Sequence, residues 1–264
     1  DQVPKITIGL SPTLLSLLED EVLKNRFKKW VKIRLEVLKS LKTDKLKAVL
    51  HLTDHFNRQL ESWENCRGDL IGRFDKLQTL EVIDILTCAA THGYLPLLRE
   101  NPEAVRAHLK TAVREHIRLF KNSPLGIWLP ECAYYEGLDE IMIESGLRYA
   151  VLDGHGLLNA DPRPRYGLYA PICTNKGVAF FGRDSESTLP VWSARDGYPG
   201  NPSYREFHRD LGWDLSIEKL KGIGINEKRP LGIKLFKISS KNTSLENKEQ
   251  YDPQDAQKSV ERDA

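Results

Sequence analysis

The sequence has few cysteines, no long hydrophobic run and no excess of charge of one sign. Its four cysteines are widely spaced and form no C-x-x-C pair, which favours reduced thiols and makes a structural zinc site unexpected. The longest apolar stretches are far shorter than the roughly 20 residues of a membrane-spanning helix. Lysine and arginine total 39 against 37 aspartate and glutamate residues, a net charge of +2. These absences argue against a membrane protein, a disordered chain and a nucleic-acid binder that works through bulk charge.

Targeting and cofactor motifs are also absent. The first residues lack the basic start, apolar stretch and small-residue cleavage site of a secretory signal, so we expect a cytoplasmic protein. No Walker-type or dinucleotide-binding glycine pattern occurs. His51 and His55 have the i, i+4 spacing that zinc ligands can use, but without a third ligand we interpret them as solvated. We therefore expect neither a metal ion nor a cofactor.

Short apolar runs alternate with segments of helical spacing, which predicts the α/β class with a mostly parallel sheet, either a barrel or an open doubly wound sheet. The predicted strands cover residues 6–10, 80–86, 126–129, 149–152, 178–181 and 231–238, and the predicted helices residues 14–41, 101–120 and 138–146. From residue 239 to 264 the composition turns polar and predicts a loop that enters a helix with no apolar partner.

Most of the predicted strands lead directly into a polar or charged side chain. His92, Glu131, His155 and Arg183 follow four different strands. The carboxyl ends of successive strands meet at one rim of a β/α barrel, whereas an open sheet binds mainly at its switch point. The pattern therefore favours a barrel with a polar pocket at its rim. The alternative is that these residues are ordinary polar loop positions.

Glu131 and a set of aromatic side chains suit a carbohydrate substrate. Glu131 directly follows Trp128, Leu129 and Pro130, so a carboxylate stands beside an aromatic face on which a sugar ring can stack. The alternative is an exposed carboxylate favoured by a helix dipole. Trp192 lies in a later segment that is also rich in Tyr and Trp, with ordinary core packing as the alternative interpretation.

Three ordered segments resemble glycoside hydrolase family 57, and the similarity covers nearly the whole chain. Residues 126–134 (GIWLPECAY) resemble the nucleophile motif of the family, and residues 80–98 are similar to its second region. Residues 183–207 resemble the substrate-binding stretch of the family's bacterial 1,4-α-glucan branching enzymes.

This resemblance implies an incomplete (β/α)7 TIM-like barrel, here its central part, and a retaining transglycosylation on α-1,4-glucan that forms α-1,6 branches in a glycogen- or starch-like polymer. It makes Glu131 the nucleophile and requires no cofactor or metal. Substrate-binding roles carried over from it, or suggested by position in the expected pocket, fall on Glu81, His92, Trp128, His155, Arg183, Trp192 and Gly200. Glu81 and His92 are expected to line the pocket near the scissile bond.

The sequence departs from the family pattern at both ends. The expected first region, a His-x-His-Leu-Pro-Tyr type strand end, and the Asp motif of the general acid do not occur. We therefore expect an interior fragment, with residues 1–238 as a partial catalytic barrel and 239–264 as a truncated polar loop and helix start, inactive by itself. Alternatives are an α-amylase or 4-α-glucanotransferase of the same family, or a noncatalytic glucan-binding protein. The sequence does not give the oligomeric state.

Overall fold

The computed structural model describes residues 5–41 and 46–263. The chain divides into two compact units, each made of two separated segments. The first, here called the sheet unit, comprises Asp1–Leu23 and Asp69–Ser185; the second, called the helical unit, comprises Lys24–Gly68 and Glu186–Ala264. This division differs from the expected boundary at residues 238/239.

The sheet unit holds one six-stranded sheet. Its strands are β1 Ile6–Gly9, β2 Ile83–Cys88, β3 Gly126–Trp128, β4 Tyr149–Asp153, β5 Ile172–Cys173 and β6 Ala179–Arg183. They lie in the order β1-β2-β3-β4-β6-β5, and every pairing is parallel except that of β5 with β6. The predicted α/β class with a mostly parallel sheet is confirmed, and five of the predicted strands coincide with observed ones within a few residues. The short antiparallel β5 was not predicted.

The helices are α1 Pro12–Glu19, α2 Glu21–Ser40, α3 Lys47–Asn65, α4 Leu70–Thr79, α5 Leu95–Leu98, α6 Pro102–Phe120, α7 Leu138–Glu144, α8 Gly154–Leu158, α9 Ser185–Trp192, α10 Leu211–Asp214, α11 Ile217–Gly222 and α12 Pro253–Asp263. No helix of the described ranges is long and apolar enough to cross a membrane.

Capping residues determine where two of these helices begin. The Asn101 side chain accepts a hydrogen bond from the Ala104 amide at 3.2 Å, and Pro102 occupies the first turn, as predicted for α6. The single helix predicted over 14–41 is instead two helices. Asp20 has an extended backbone and its carboxylate accepts from the Leu23 amide at 2.8 Å, so α1 ends and α2 begins there.

The core of the sheet unit lies between the sheet and its helices. It includes Ile127 and Leu129 around β3, Leu109 of α6, Met142 of α7 and Phe180 of β6, all nearly inaccessible to solvent. Burial of this apolar surface stabilises the sheet, and the strand ends are fixed with it.

The helical unit has its own core, which includes Val31 of α2 and Leu52 of α3. The prediction of a strand over 231–238 is wrong. Leu231 and Ile233 are buried in this core, but the segment makes only isolated antiparallel bridges, Arg205 with Lys237 and Phe236 with Gln250. Its apolar residues therefore serve the helical unit.

The predicted terminal helix exists as α12, but the expectation that it lacks a partner is wrong. Ala256 and Ser259 are buried, and α12 packs against α3. The Lys47 ammonium and the Asp252 carboxylate form an ion pair at 2.6 Å beside this contact. Helices α3 and α4 are further elements that the sequence analysis did not predict.

Candidate functional site

The parallel strands of the sheet unit end side by side. Cys88 at the end of β2 pairs with Trp128 at the end of β3, and Asp153 of β4 pairs with Arg183 of β6. Since the carboxyl ends of parallel strands share one edge of the sheet, the residues that follow them are brought together. We call this edge, with His92, Glu131, His155 and Arg183 around it, the carboxyl edge.

Two tight turns with the same backbone form follow β2 and β3. In the first, the His92 amide donates to the Ala89 carbonyl at 2.9 Å; in the second, the Cys132 amide donates to the Leu129 carbonyl at 2.9 Å. Thr91 and Glu131 occupy equivalent positions, with φ of 59° and 57°. The following residues, His92 and Cys132, also have positive φ, 56° and 54°.

This left-handed backbone is unfavourable for residues other than glycine, by about 1–2 kcal/mol per residue. The surrounding packing must therefore hold it in place. Leu129, Pro130 and Cys132 are buried while Glu131 between them is exposed. Residues with strained backbone dihedral angles are often found at functional sites. In these turns the left-handed backbone leaves the side chains of His92 and Glu131 exposed to solvent, while the residues at the start of each turn are buried.

Glu131 and His92 face each other at the carboxyl edge. The distance from His92 Nε2 to Glu131 Oε1 is 3.8 Å, and the two side chains are 50% and 75% exposed. The other ring nitrogen, His92 Nδ1, lies 3.3 Å from the sulfur of Cys88. Trp128 is half-buried at the end of β3, three residues before Glu131. The arrangement offers an accessible carboxylate, a neighbouring imidazole and an aromatic ring.

Asp153 joins the other two predicted residues. Its carboxylate accepts from the Arg183 guanidinium at 2.7 Å and lies 3.1 Å from His155 Nδ1. The His155 hydrogen bond, followed by the Arg183 charge, lowers the pKa of Asp153 below its usual value. Asp153 is therefore held ionised and contacts both side chains. Its role could not be predicted from the sequence, because its contact with Arg183 depends on the pairing of β4 with β6.

Glu81 does not join this group. It precedes β2, so it lies at the amino edge of the sheet, while His92 follows the carboxyl end of the same strand. Six strand residues span about 20 Å. The exposed Glu81 carboxylate faces Lys5 Nζ at 3.9 Å. The expectation that Glu81 and His92 line one pocket therefore needs correction in this structure.

Trp192 and Gly200 belong to the helical unit. Trp192 is exposed at the end of α9. Gly200 closes a short turn in which an added Cβ would lie 2.3 Å from the Ala194 carbonyl oxygen, so a side chain would not fit there. His51 and His55 are in α3 of the same unit, and the described part of the chain contains no group of three or more metal-binding side chains.

Most of the chain matches one protein family. The family model for glycosyl hydrolase family 57 matches residues 5–219. The chain is 34% identical to the 1,4-alpha-glucan branching enzyme TK1436 of Thermococcus kodakarensis, over 98% of this chain and 40% of that protein. The chain thus spans less than half the length of this curated relative.

Two solved structures superpose over nearly the whole chain. The alpha-amylase AmyC from Thermotoga maritima matches with a TM-score of 0.92 and 35% identity, covering 98% of this chain and 52% of that one. The branching enzyme of Pyrococcus horikoshii matches with a TM-score of 0.82 and 28% identity, covering 98% and 48%. The expected incomplete TIM-like barrel is confirmed by these neighbours. The chain belongs to glycosyl hydrolase family 57.

Proposed function

We propose that the complete gene product is a 1,4-α-glucan branching enzyme in which Glu131 is the nucleophile. The observation that carries this proposal is the position of Glu131: an exposed carboxylate on a strained turn, 3.8 Å from His92, at the end of β3. The 34% identity with a protein named as a branching enzyme supports the same reaction. The substrate is then an α-1,4-glucan, and the product a glycogen- or starch-like polymer.

The reaction is a double displacement. A carboxylate oxygen of Glu131 attacks the anomeric carbon of a glucosyl unit, and the bond from that carbon to the leaving 4-oxygen breaks as an acid protonates the oxygen. The 6-hydroxyl of another glucan chain then attacks the same carbon. The bond to Glu131 breaks, the hydroxyl proton passes to the conjugate base of the acid, and an α-1,6 link remains with the anomeric configuration retained.

The general acid is assigned to a residue outside the 264 residues of this chain. A retaining enzyme needs a second, protonated carboxyl group about 5 Å from the nucleophile. Asp153 is the carboxylate that Arg183 and His155 hold ionised, which is the wrong protonation state for an acid. Residues 1–264 by themselves are therefore expected to be inactive.

His155, Arg183 and Trp128 are proposed to bind the sugar. Arg183 has N–H donors beyond the one that Asp153 accepts, and Asp153 contacts only Nδ1 of His155, which leaves Nε2, so both side chains can bind sugar hydroxyl groups. Trp128 offers a ring face for stacking at the same edge. Trp192 and Gly200 are proposed as further glucan contacts on the evidence of the resemblance of residues 183–207.

A second candidate function is α-glucan hydrolysis. The structure named as an alpha-amylase superposes with a TM-score of 0.92, above the 0.82 of the branching enzyme. Both reactions pass through the same glycosyl-enzyme and differ in whether water or a glucan hydroxyl reaches it. The nucleophile assignment is common to both.

To test the proposal, the complete gene product is incubated with amylose, and the α-1,6 links and reducing ends of the product are measured separately. New α-1,6 links support branching, and a rise in reducing ends without them supports hydrolysis and overturns the branching assignment. Glu131→Gln should lower activity about a thousandfold or more, since an amide is a poor nucleophile. Glu136→Gln, a change to an exposed residue of the same loop, is the matched control and should keep wild-type activity. Retained turnover in Glu131→Gln would contradict the assignment.

A further inference from the structure

Cys88 lies beneath the candidate site and has no part in the reaction described above. It is the last residue of β2, and only 3% of its surface is accessible. Its sulfur lies 3.3 Å from Nδ1 of His92. Burial raises the pKa of the thiol to about 11, so the thiol keeps its proton at neutral pH.

The two ring nitrogens of His92 therefore face different groups. Nδ1 faces the protonated thiol of Cys88, and Nε2 faces the Glu131 carboxylate at 3.8 Å. A neutral imidazole has one N–H donor and one lone-pair acceptor. A thiol has a proton to donate and is a poor acceptor, so its better partner is a nitrogen with a lone pair. This contact favours the tautomer in which Nδ1 accepts and Nε2 carries the proton.

The backbone around His92 is also held from the other side. His108 of α6 donates from Nδ1 to the Ala90 carbonyl, at the start of the left-handed turn. The His108 ring lies so close to Gly93 that an added Cβ there would be 2.8 Å from its Cε1 atom. The turn is thus held by His108 on one side, while the ring of His92 contacts Cys88 on the other.

We propose that Cys88 is a positioning residue that holds His92 with its Nε2–H directed at Glu131. A donor beside a carboxylate stabilises the ionised form that a nucleophile needs. The opposite tautomer would direct a lone pair at the carboxylate oxygen. At 3.8 Å the pair is longer than a hydrogen bond, and such contacts commonly shorten when substrate binds. The effect on turnover rests on the proposed function, but the tautomer itself does not.

The tautomer is measured directly by NMR of the complete gene product with nitrogen-15 in its histidine rings. His92→Gln identifies the His92 signals, and the His116 signals report whether each variant is folded. We expect protonated Nε2 and bare Nδ1 in the wild type, a mixture in Cys88→Ala, and recovery of the wild-type state in Cys88→Ser, whose hydroxyl can also donate. A wild-type ring protonated at Nδ1 overturns the proposal, even if no variant folds. An unchanged tautomer in folded Cys88→Ala also overturns it.

Kinetics supply the second readout. We expect Cys88→Ala to lower kcat about tenfold and to change KM by no more than about twofold. Loss of a residue that orients a histidine has an effect of this size at metal sites. Cys88→Ser should recover most of the loss, and Cys66→Ala, a change just after α3 in the helical unit, should behave as wild type. An unchanged kcat, or a rise in KM alone, contradicts the proposal. If the wild type shows no glucan activity, the proposed function fails while the NMR result still decides the role of Cys88.

Discussion

His116 is a buried titratable group in the C-terminal half of α6. Only 1% of its surface is accessible, and the centroid of its ring lies 4.8 Å from the centroid of the Phe120 ring. Its Nε2 bonds with the Asn122 side-chain oxygen at 3.1 Å, whereas its Nδ1 has no hydrogen-bond partner within the described ranges. Burial lowers the pKa of His116 below its usual value, so the ring of the folded protein is neutral at pH 7.

The lowered pKa of His116 predicts a loss of stability in acid. Above an unfolded-state pKa of about 6.5 the ring is neutral in both states, and its full contribution is present. As the pH falls below that value the unfolded state binds the extra proton, so the free energy of unfolding decreases by at most about 1.4 kcal/mol per pH unit from this group. Urea unfolding between pH 7 and 5 should show a flatter dependence for His116→Leu than for the wild type.

A non-titrating position of the same helix provides the comparison. Thr111→Leu, at an exposed residue of α6, should leave the wild-type slope unchanged, because it removes no titratable group. Parallel curves for the wild type and His116→Leu would show that burial of this ring does not govern the acid response.

At the residue scale, position after a strand was enough to predict that Glu131, His92, His155 and Arg183 lie at one edge of the sheet, because parallel strands end at one edge. It was not enough for Cys88, whose role depends on a sulfur-to-nitrogen distance within one turn. Glu81 was assigned through the resemblance, and the strand between it and His92 carries the two residues to opposite edges of the sheet.

At the element scale, the matching turns after β2 and β3 hold strain that a single substitution can release. Thr91 is β-branched and sits at φ 59°, where such residues are rare. Glycine removes a penalty of about 1–2 kcal/mol there and adds about 0.4–1 kcal/mol of unfolded-chain entropy. Thr91→Gly should therefore raise the free energy of unfolding by about 0.5–1 kcal/mol, measured in urea.

The matched control is Thr111→Gly, at an exposed position within α6. There glycine should lower the free energy of unfolding by a few tenths of a kcal/mol, because the helix loses propensity without any release of strain. A decrease in both variants would mean that the turn after β2 is not strained.

Elements with strong local signals were predictable, and those defined by their partners were not. The start of α6 is predictable from Asn101 and Pro102, and β3 and β4 are predictable from their apolar runs. Residues 231–238 have the composition of a strand, but composition does not say which unit they join. Their burial against α2 and α3, rather than in the sheet, is a long-range outcome.

At the scale of the whole molecule, both units are assembled from segments far apart in the chain. The chain passes from the sheet unit to the helical unit after residue 23, near the start of α2, and returns to the sheet unit at residue 69. A third crossing follows residue 185, so neither unit is one continuous stretch of sequence. The near-neutral charge does agree with the proposed substrate, because an uncharged glucan is bound through aromatic rings and hydrogen bonds.

The central claim is that Glu131 forms the covalent glycosyl-enzyme. The direct measurement is mass spectrometry of the complete gene product after reaction with an activated fluorinated α-glucosyl fluoride, which slows release of the intermediate. The proposed mechanism predicts a single glycosyl adduct on the peptide that contains Glu131, and no adduct in Glu131→Gln. An adduct on a different carboxylate, or glucan turnover with inversion of the anomeric configuration, would contradict it.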